Sequence, residues 1–264
     1  MYDFAYEKPS SLADAAKLLS ADGDAKALAG GQTFIPVLKQ RLNRPSTVVD
    51  LSRLGLSGIT VAGDKITIGA MTRHADVANN ADIKAKIPGL AHLASMIGDE
   101  AVRHRGTIGG SLANNDPAAC YPSAVLALGG TIKTDKRAIA ADDFFQGMFT
   151  TALEPGEIIT AVELPIPEKS AYEKFRNPAS RYAIVGVFVA KFPAGVRLAI
   201  TGASQGGVFR HTEMEKALSA TFSPDAIAGI KTPADDLNGD IHASAEYRAH
   251  LIGVVSKRAV AQVA

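Results

Sequence analysis

Two pairs of adjacent glycines are the residues best suited to hold a ligand. Gly30-Gly31 is followed by Gln32 and Thr33, and Gly109-Gly110 is followed by Ser111. Glycine lets the backbone turn tightly or approach another group closely. Backbone N–H groups at such a turn, ahead of a helix, can bind a phosphate. Most Gly-Gly pairs are simply turns, but two of them with adjacent hydroxyls suggest a diphosphate held from two sides.

Neither glycine pair fits the common nucleotide-binding motifs. The chain has no G-x-G-x-x-G opening a helix and no G-x-x-x-x-G-K-[ST] loop. Both motifs place glycines where nucleotide phosphates meet the backbone. Their absence argues against a Rossmann NAD site and against a P-loop NTPase.

The elements predicted around the first glycine pair form a β-α-β unit. In chain order they are a strand at 25–29, a helix at 36–42 that Thr33 can cap, and a strand at 47–51. The two strands of such a unit pair in parallel, and ligands bind at their carboxyl ends. The first glycine pair is therefore predicted at the ligand-binding edge. The second pair is predicted to form a turn with free N–H groups, ahead of a buried helix at 118–128.

The remaining patterns predict an α+β chain in three parts. Helices are expected at 11–20, 74–79, 88–97, 211–219, 224–230 and 243–261, hairpins at 59–61 with 65–68 and at 182–192 with 196–204, and further strands at 131–133 and 158–164. Thr72 is expected to cap the helix at 74–79. Two prolines make 165–170 the best candidate linker. The predicted domains are 1–55, 56–168 and 169–264.

Composition argues against several function classes. The 28 basic and 27 acidic residues give a net charge of +1 with no basic block, which argues against nucleic-acid binding. The single cysteine, Cys120, cannot form an internal disulfide or hold an iron–sulfur cluster on its own, so any cluster must lie on a partner. The six histidines show no metal-ligand spacing. Without a signal peptide or a membrane-spanning run, we expect a soluble cytoplasmic protein.

Several ordered motifs together resemble the flavoprotein (medium) subunits of the molybdenum hydroxylases, a family that includes carbon monoxide dehydrogenase and xanthine dehydrogenase. The motifs are 29–33 (Ala-Gly-Gly-Gln-Thr) with 39–42, 105–111 (Arg-Gly-Thr-Ile-Gly-Gly-Ser) with 116–119 (Asp-Pro-Ala-Ala), 157–159, 174–176 with 179–183, and 244–248. They cover essentially the whole chain, which makes the set far more specific than either glycine pair. The resemblance implies a two-subdomain FAD-binding fold of the PCMH type followed by a C-terminal sheet-plus-helix domain.

The resemblance also implies which residues contact FAD. These are Ala29, Gly30, Gly31, Gln32 and Thr33 in a first loop, Thr107, Ile108, Gly109, Gly110 and Ser111 in a second, and Ile97, Cys120, Ile159 and Lys174 elsewhere. The family commonly places an aspartate at the position of Cys120. A thiol is the poorer hydrogen-bonding group, so Cys120 is either a small buried residue, the mark of an altered flavin site, or a redox-sensitive position. Lys174 is either a cation near the flavin or a solvated strand lysine.

The function implied by the resemblance is that of an electron-transfer oxidoreductase subunit with no catalytic acid or base and no metal ligand. A large partner subunit would carry a molybdenum–pterin cofactor, and a small partner would carry two [2Fe–2S] clusters. The FAD of this chain would take electrons from those clusters and pass them to NAD⁺, a quinone, oxygen or another acceptor. Two alternatives stay open, a stand-alone PCMH-type flavin reductase and a flavin-free scaffold subunit.

Overall fold

A small parallel sheet with two helices opens the fold. The structure is a computed structural model that describes all residues from 1 to 264. The first elements are β1 (Ala5–Glu7), α1 (Leu12–Ala21), β2 (Lys26–Leu28), α2 (Phe34–Lys39) and β3 (Thr47–Asp50), with a 3₁₀ turn at Leu51–Arg53. The strand order is β1-β3-β2 and both pairings are parallel. The predicted β-α-β unit is therefore confirmed, and a third strand extends it.

The middle of the chain builds an antiparallel sheet covered by helices. Its elements are β4 (Ile59–Ala62), β5 (Lys65–Gly69), α3 (His74–Asn79), α4 (Ala81–Lys86), α5 (Pro88–Ser95), α6 (Glu100–Arg103), α7 (Ile108–Asn114), α8 (Tyr121–Ala127), β6 (Thr131–Thr134), β7 (Ala138–Ala140), α9 (Ala141–Phe144), the short hairpin β8 (Phe145–Gly147) and β9 (Thr150–Thr151), and β10 (Ile159–Pro165). The five main strands run in the order β4-β5-β10-β6-β7. The predicted hairpin at 59–68 is confirmed.

A four-stranded antiparallel sheet and a long helix complete the chain. The elements are β11 (Lys169–Arg176), β12 (Ala183–Phe192), β13 (Gly195–Ser204), β14 (Gly207–Arg210), α10 (Thr212–Ala220), a 3₁₀ turn at Pro224–Ile227, and α11 (Ala245–Ala261). The sheet order is β11-β12-β13-β14. The candidate linker is shorter than predicted, because β10 ends at Pro165 and β11 begins at Lys169.

Strand β12 joins the two largest parts of the core because both of its faces are buried. Phe188 and Ala190 belong to the same apolar cluster as helices α5 and α8. Val187 and Val189, on the opposite face, pack with α11 residues such as Ile252. A strand covered on both faces needs a continuous apolar run, which is the pattern of this segment. None of the helices combines the length and the apolar character needed to cross a membrane.

Several local predictions are wrong, and each has a visible cause. Gly109 and Gly110 lie in the first turn of helix α7, so they do not form a turn ahead of a helix. The helix expected at 118–128 begins only at Tyr121, because the Asp116 carboxylate accepts the Ala118 N–H at 2.9 Å and holds a separate turn. Thr72 does not cap α3, since its hydroxyl bonds to the backbone N–H and carbonyl of Gly58 instead.

Candidate functional site

A cleft of about 600 Å³ is lined by segments from all three parts of the chain. Its volume falls within the range of about 300–1,000 Å³ that is usual for ligand sites. Thirteen of the fourteen residues singled out from the sequence line it, namely Ala29, Gly30, Gly31, Gln32, Thr33, Ile97, Thr107, Gly109, Gly110, Ser111, Cys120, Ile159 and Lys174. The exception is Ile108, which is fully buried in the core. The structure therefore brings together residues up to 145 positions apart, from 29 to 174.

The two glycine segments touch each other at one end of this cleft. A Cβ atom added at Gly30 would lie 2.2 Å from the carbonyl oxygen of Arg105 and 2.7 Å from the Cα of Gly106. No side chain fits in that space, so glycine is required there. A Cβ atom at Gly110 would lie 3.4 Å from the Cβ of Ala29. The close approach fixes the position of the first loop relative to helix α7.

The first loop has backbone N–H groups that no group of the protein uses. Gly31 has φ of +74°, and Thr33 follows in right-handed helical geometry at the start of α2. Across 30–33, none of the four backbone N–H groups donates a hydrogen bond within the chain. The Thr33 hydroxyl makes no capping bond either, although capping was predicted. Successive free N–H groups around such a turn form an anion-binding concavity.

The second segment differs, because the N–H groups at the start of α7 are already satisfied. Ile108 donates to the Thr72 carbonyl at 3.1 Å and Gly109 donates to the Ala70 carbonyl at 2.8 Å. The Gly110 N–H donates to the Thr107 hydroxyl, which caps the helix. The expectation of free N–H groups at this second pair is therefore wrong. Helix α7 therefore faces the cleft with the Ser111 hydroxyl and with Gly109 and Gly110.

Lys174 lies in the cleft wall with its ammonium buried, so the interpretation as a solvated strand lysine is wrong. The side chain belongs to β11, and the residue is only 6% exposed. Its Nζ donates to the carbonyls of Met96 at 2.8 Å and Arg181 at 2.9 Å, and approaches the Sγ of Cys120 at 3.5 Å. Cys120 is itself buried, as expected for a small apolar residue.

Glu157 is a buried carboxylate in the same cleft wall. Its two oxygens accept hydrogen bonds from the Arg137 guanidinium at 3.0 Å each, and further ones from the Thr134 hydroxyl at 2.7 Å and the Glu154 N–H at 2.8 Å. The Arg137 bonds, with smaller contributions from the other donors, lower the pKa of Glu157 from 4.5 to about 2. The carboxylate is therefore fixed in its ionised form.

His74 forms part of the cleft floor as a neutral ring. It is 5% exposed and its Nδ1 has no hydrogen-bond partner. Burial, aided by the positive charge of Arg103, lowers the pKa of His74 from 6.5 to about 4. The ring packs at 5.3 Å from that of Tyr121, whose hydroxyl is also buried without a partner.

Sequence reasoning missed Glu157 and His74 as parts of this wall. From the sequence, Glu157 is one residue of a motif, and His74 is the start of a helix and one of six histidines without metal-ligand spacing. Neither has a local spacing that predicts its position, because Glu157 is held by Thr134 and Arg137, about 20 residues earlier, and His74 lies against Gly106 and Tyr121, more than 30 residues later. No group of three or more histidine, cysteine, aspartate or glutamate side chains is arranged to hold a metal ion.

Comparison with known proteins gives the same family at full length. Residues 2–167 match the family model described as the FAD binding domain in molybdopterin dehydrogenase. The glyceraldehyde dehydrogenase medium chain of Sulfolobus acidocaldarius is 34% identical, with 99% of both chains covered. The carbon monoxide dehydrogenase medium chain of Afipia carboxidovorans is 35% identical over 97% of this chain and 95% of the relative.

A solved structure has the same fold. A chain of the reconstituted CO dehydrogenase from Oligotropha carboxidovorans superposes with a TM-score of 0.89 at 33% identity, covering 98% of this chain and 97% of that one. The α+β fold with an FAD-binding part of the PCMH type is thereby confirmed. The chain belongs to the FAD-binding medium subunits of the molybdenum hydroxylases, and it is the FAD-binding part of an oxidoreductase.

Proposed function

We propose that FAD lies in the 600 Å³ cleft with its diphosphate on the loop 30–33, and that this chain passes electrons from iron–sulfur clusters to an external acceptor. The observation that carries the proposal is the run of four unused backbone N–H groups on the cleft wall. A diphosphate is the part of FAD that such a concavity favours. When bound, FAD supplies the two-electron chemistry, and the protein holds it and adjusts its surroundings.

The other walls of the cleft suit the rest of the cofactor. Ile159 and the partly buried Ile97 offer apolar surface for a flat ring system. Thr107, the N-cap of α7, and Ser111, in its first turn, offer hydroxyl groups. The residues assigned from the sequence thus remain our proposed contacts, apart from Ile108, which lies in the core. We also propose the division into 1–55, 56–168 and 169–264, which agrees with the three main sheets.

The proposed electron donors lie on other chains. One cysteine cannot ligate a [2Fe–2S] cluster, which needs four protein ligands. Relatives of this chain are medium chains or medium subunits, which implies larger and smaller companions. We therefore place the molybdenum–pterin cofactor on a large partner and the [2Fe–2S] clusters on a small one. The acceptor would be NAD⁺, a quinone or oxygen, and the complex would be cytoplasmic.

The test is a reconstitution in steps. The purified full-length chain is expected to absorb between about 300 and 550 nm, the range of oxidised flavin, and to release stoichiometric FAD. Mixed with a chemically reduced small subunit, its flavin absorbance should bleach, and one of the three acceptors should restore it. Substrate turnover by the chain alone would instead favour a stand-alone reductase. A colourless chain that takes up no FAD would favour a scaffold.

A pair of glycine variants tests the assigned loop. Gly30→Ala forces a Cβ atom against the Arg105 backbone, whereas Gly23→Ala adds one where nothing lies within 4 Å. We expect Gly30→Ala to weaken FAD binding at least tenfold, or about 1.4 kcal/mol, and Gly23→Ala to leave it unchanged. Fluorescence titration with FAD measures both, with circular dichroism as the folding control. Equal affinity of the two variants would contradict the assignment of this loop.

A further inference from the structure

Lys174 is a buried cation without a carboxylate partner. No acidic oxygen lies within 4.0 Å of its Nζ, although eleven such ion pairs occur elsewhere in the chain. Of the two acidic residues that line the same cleft, Glu157 is paired with Arg137 and Asp116 accepts a backbone N–H. An uncompensated buried charge is costly unless something else uses it.

The contacts around Lys174 Nζ can take up all three donors of an ammonium group. An ammonium has three N–H donors and no acceptor, whereas a neutral amine has two donors and a lone pair. The Nζ atom has three neighbours at hydrogen-bond distance, and two of them are carbonyl oxygens that can only accept. The third is the thiol of Cys120, at 3.5 Å, which is its only side-chain partner.

We infer that Lys174 is a charge-tuning residue of the cleft and that Cys120, which has no carboxylate, leaves its positive charge available to the bound cofactor. The inference depends on the proposed placement of FAD in this cleft. It assigns to Cys120 a role as a neighbour without a carboxylate, which neither the fold nor the FAD-binding activity by itself requires. A carboxylate at position 120 would compensate the ammonium and remove its effect.

The sign of the effect follows from the charge balance of the reaction. Two-electron reduction converts FAD, two electrons and one proton into FADH⁻, so the cofactor gains one negative charge. A fixed cation in a water-poor wall stabilises the more negative form. In the complex the two electrons come from the partner's clusters, and in the test below they come from dithionite. Lys174 therefore makes the bound FAD easier to reduce.

The test is the reduction potential of FAD bound to the full-length chain, in variants matched for shape. Cys120→Asp adds a carboxylate beside Lys174, and Cys120→Asn adds nearly the same atoms without the charge. We expect the equilibrium constant for two-electron reduction to be at least tenfold lower in Cys120→Asp than in Cys120→Asn, which is a midpoint about 30 mV lower. Lys174→Met should lower it by a similar factor relative to the unmodified chain.

A second measurement covers variants that hold FAD weakly. The ratio of the dissociation constants of oxidised and reduced FAD must change by the same factor as the reduction equilibrium, because the four states form a cycle. Equal ratios for Cys120→Asp and Cys120→Asn, or an unchanged potential in Lys174→Met, would overturn the inference while FAD binding stands. An unmodified chain that binds no FAD would overturn the proposed function and this inference together.

Discussion

Loss of the Glu157 carboxylate should remove an acid-sensitive contribution to stability. The change is Glu157→Gln, which keeps the size of the side chain and removes the charge that Arg137 holds. The pKa of Glu157 falls from 4.5 to about 2 on folding. Each pKa unit is worth about 1.4 kcal/mol, so the ionised carboxylate contributes about 3 kcal/mol at neutral pH. The Glu157 side chain has no exposed area, but that of Arg137 is 42% exposed, so solvent screening lowers the contribution and about 3 kcal/mol is its upper value.

The pH dependence of this contribution has a definite sign. A lowered pKa in the folded state stabilises the protein above the unfolded pKa of 4.5, and the stabilisation is lost as the pH falls towards 2. Between pH 7 and pH 3 about 2 of the 3 kcal/mol should disappear. The difference in unfolding free energy between the unmodified chain and Glu157→Gln should therefore shrink from about 3 to about 1 kcal/mol.

Urea denaturation followed by circular dichroism at pH 7, 5 and 3 measures this difference. Glu154→Gln is the matched control, since Glu154 approaches the same Arg137 at 3.6 Å but is exposed. We expect the control to change stability by less than about 1 kcal/mol at every pH. If the Glu157→Gln difference stays constant from pH 7 to pH 3, the account of the buried carboxylate is refuted.

The remaining two predictions concern His74 in the cleft floor and Tyr121, whose ring packs against it at an angle of 51°. Because the pKa of His74 falls to about 4 on folding, neutral His74 stabilises the chain above pH 6.5, and about 3 kcal/mol of unfolding free energy is lost as the pH drops to 4. Urea titrations should show that His74→Gln removes this loss. An equal loss in the variant would disprove the prediction. Tyr121→Phe deletes a hydroxyl that is buried without a partner, so we expect a stability gain of about 1 kcal/mol in thermal unfolding. A loss of that size would mean that the hydroxyl is in fact satisfied.

Much of the fold could be predicted because its signals are local. The β-α-β unit follows from apolar strands on either side of a glycine turn and a helix, within about two dozen residues. Strand β12 and helix α11 follow from a continuous apolar run and a helical period. The bounds of strand β11 were not predicted because its buried positions include Ser170 and Lys174, which disguise the alternation of a strand. Strand β14 is only four residues long.

The composition of the candidate site was largely predictable, but its chemistry was not. The family resemblance named thirteen cleft residues, since it records which positions matter. They could not reveal that the N–H groups of α7 are taken by the Ala70 and Thr72 carbonyls. Nor could they reveal that Lys174 lacks an acidic partner. Both facts depend on contacts between residues far apart in the chain, for which the local sequence carries no signal.

The most direct test of the central claim is an experimental structure of the full-length chain with FAD bound. The account predicts density for FAD along the cleft, with diphosphate oxygens about 3 Å from the backbone nitrogens of 30–33 and the ring system at the end that holds Lys174. A diphosphate bound away from that loop, or a flavin outside the cleft, would contradict the account.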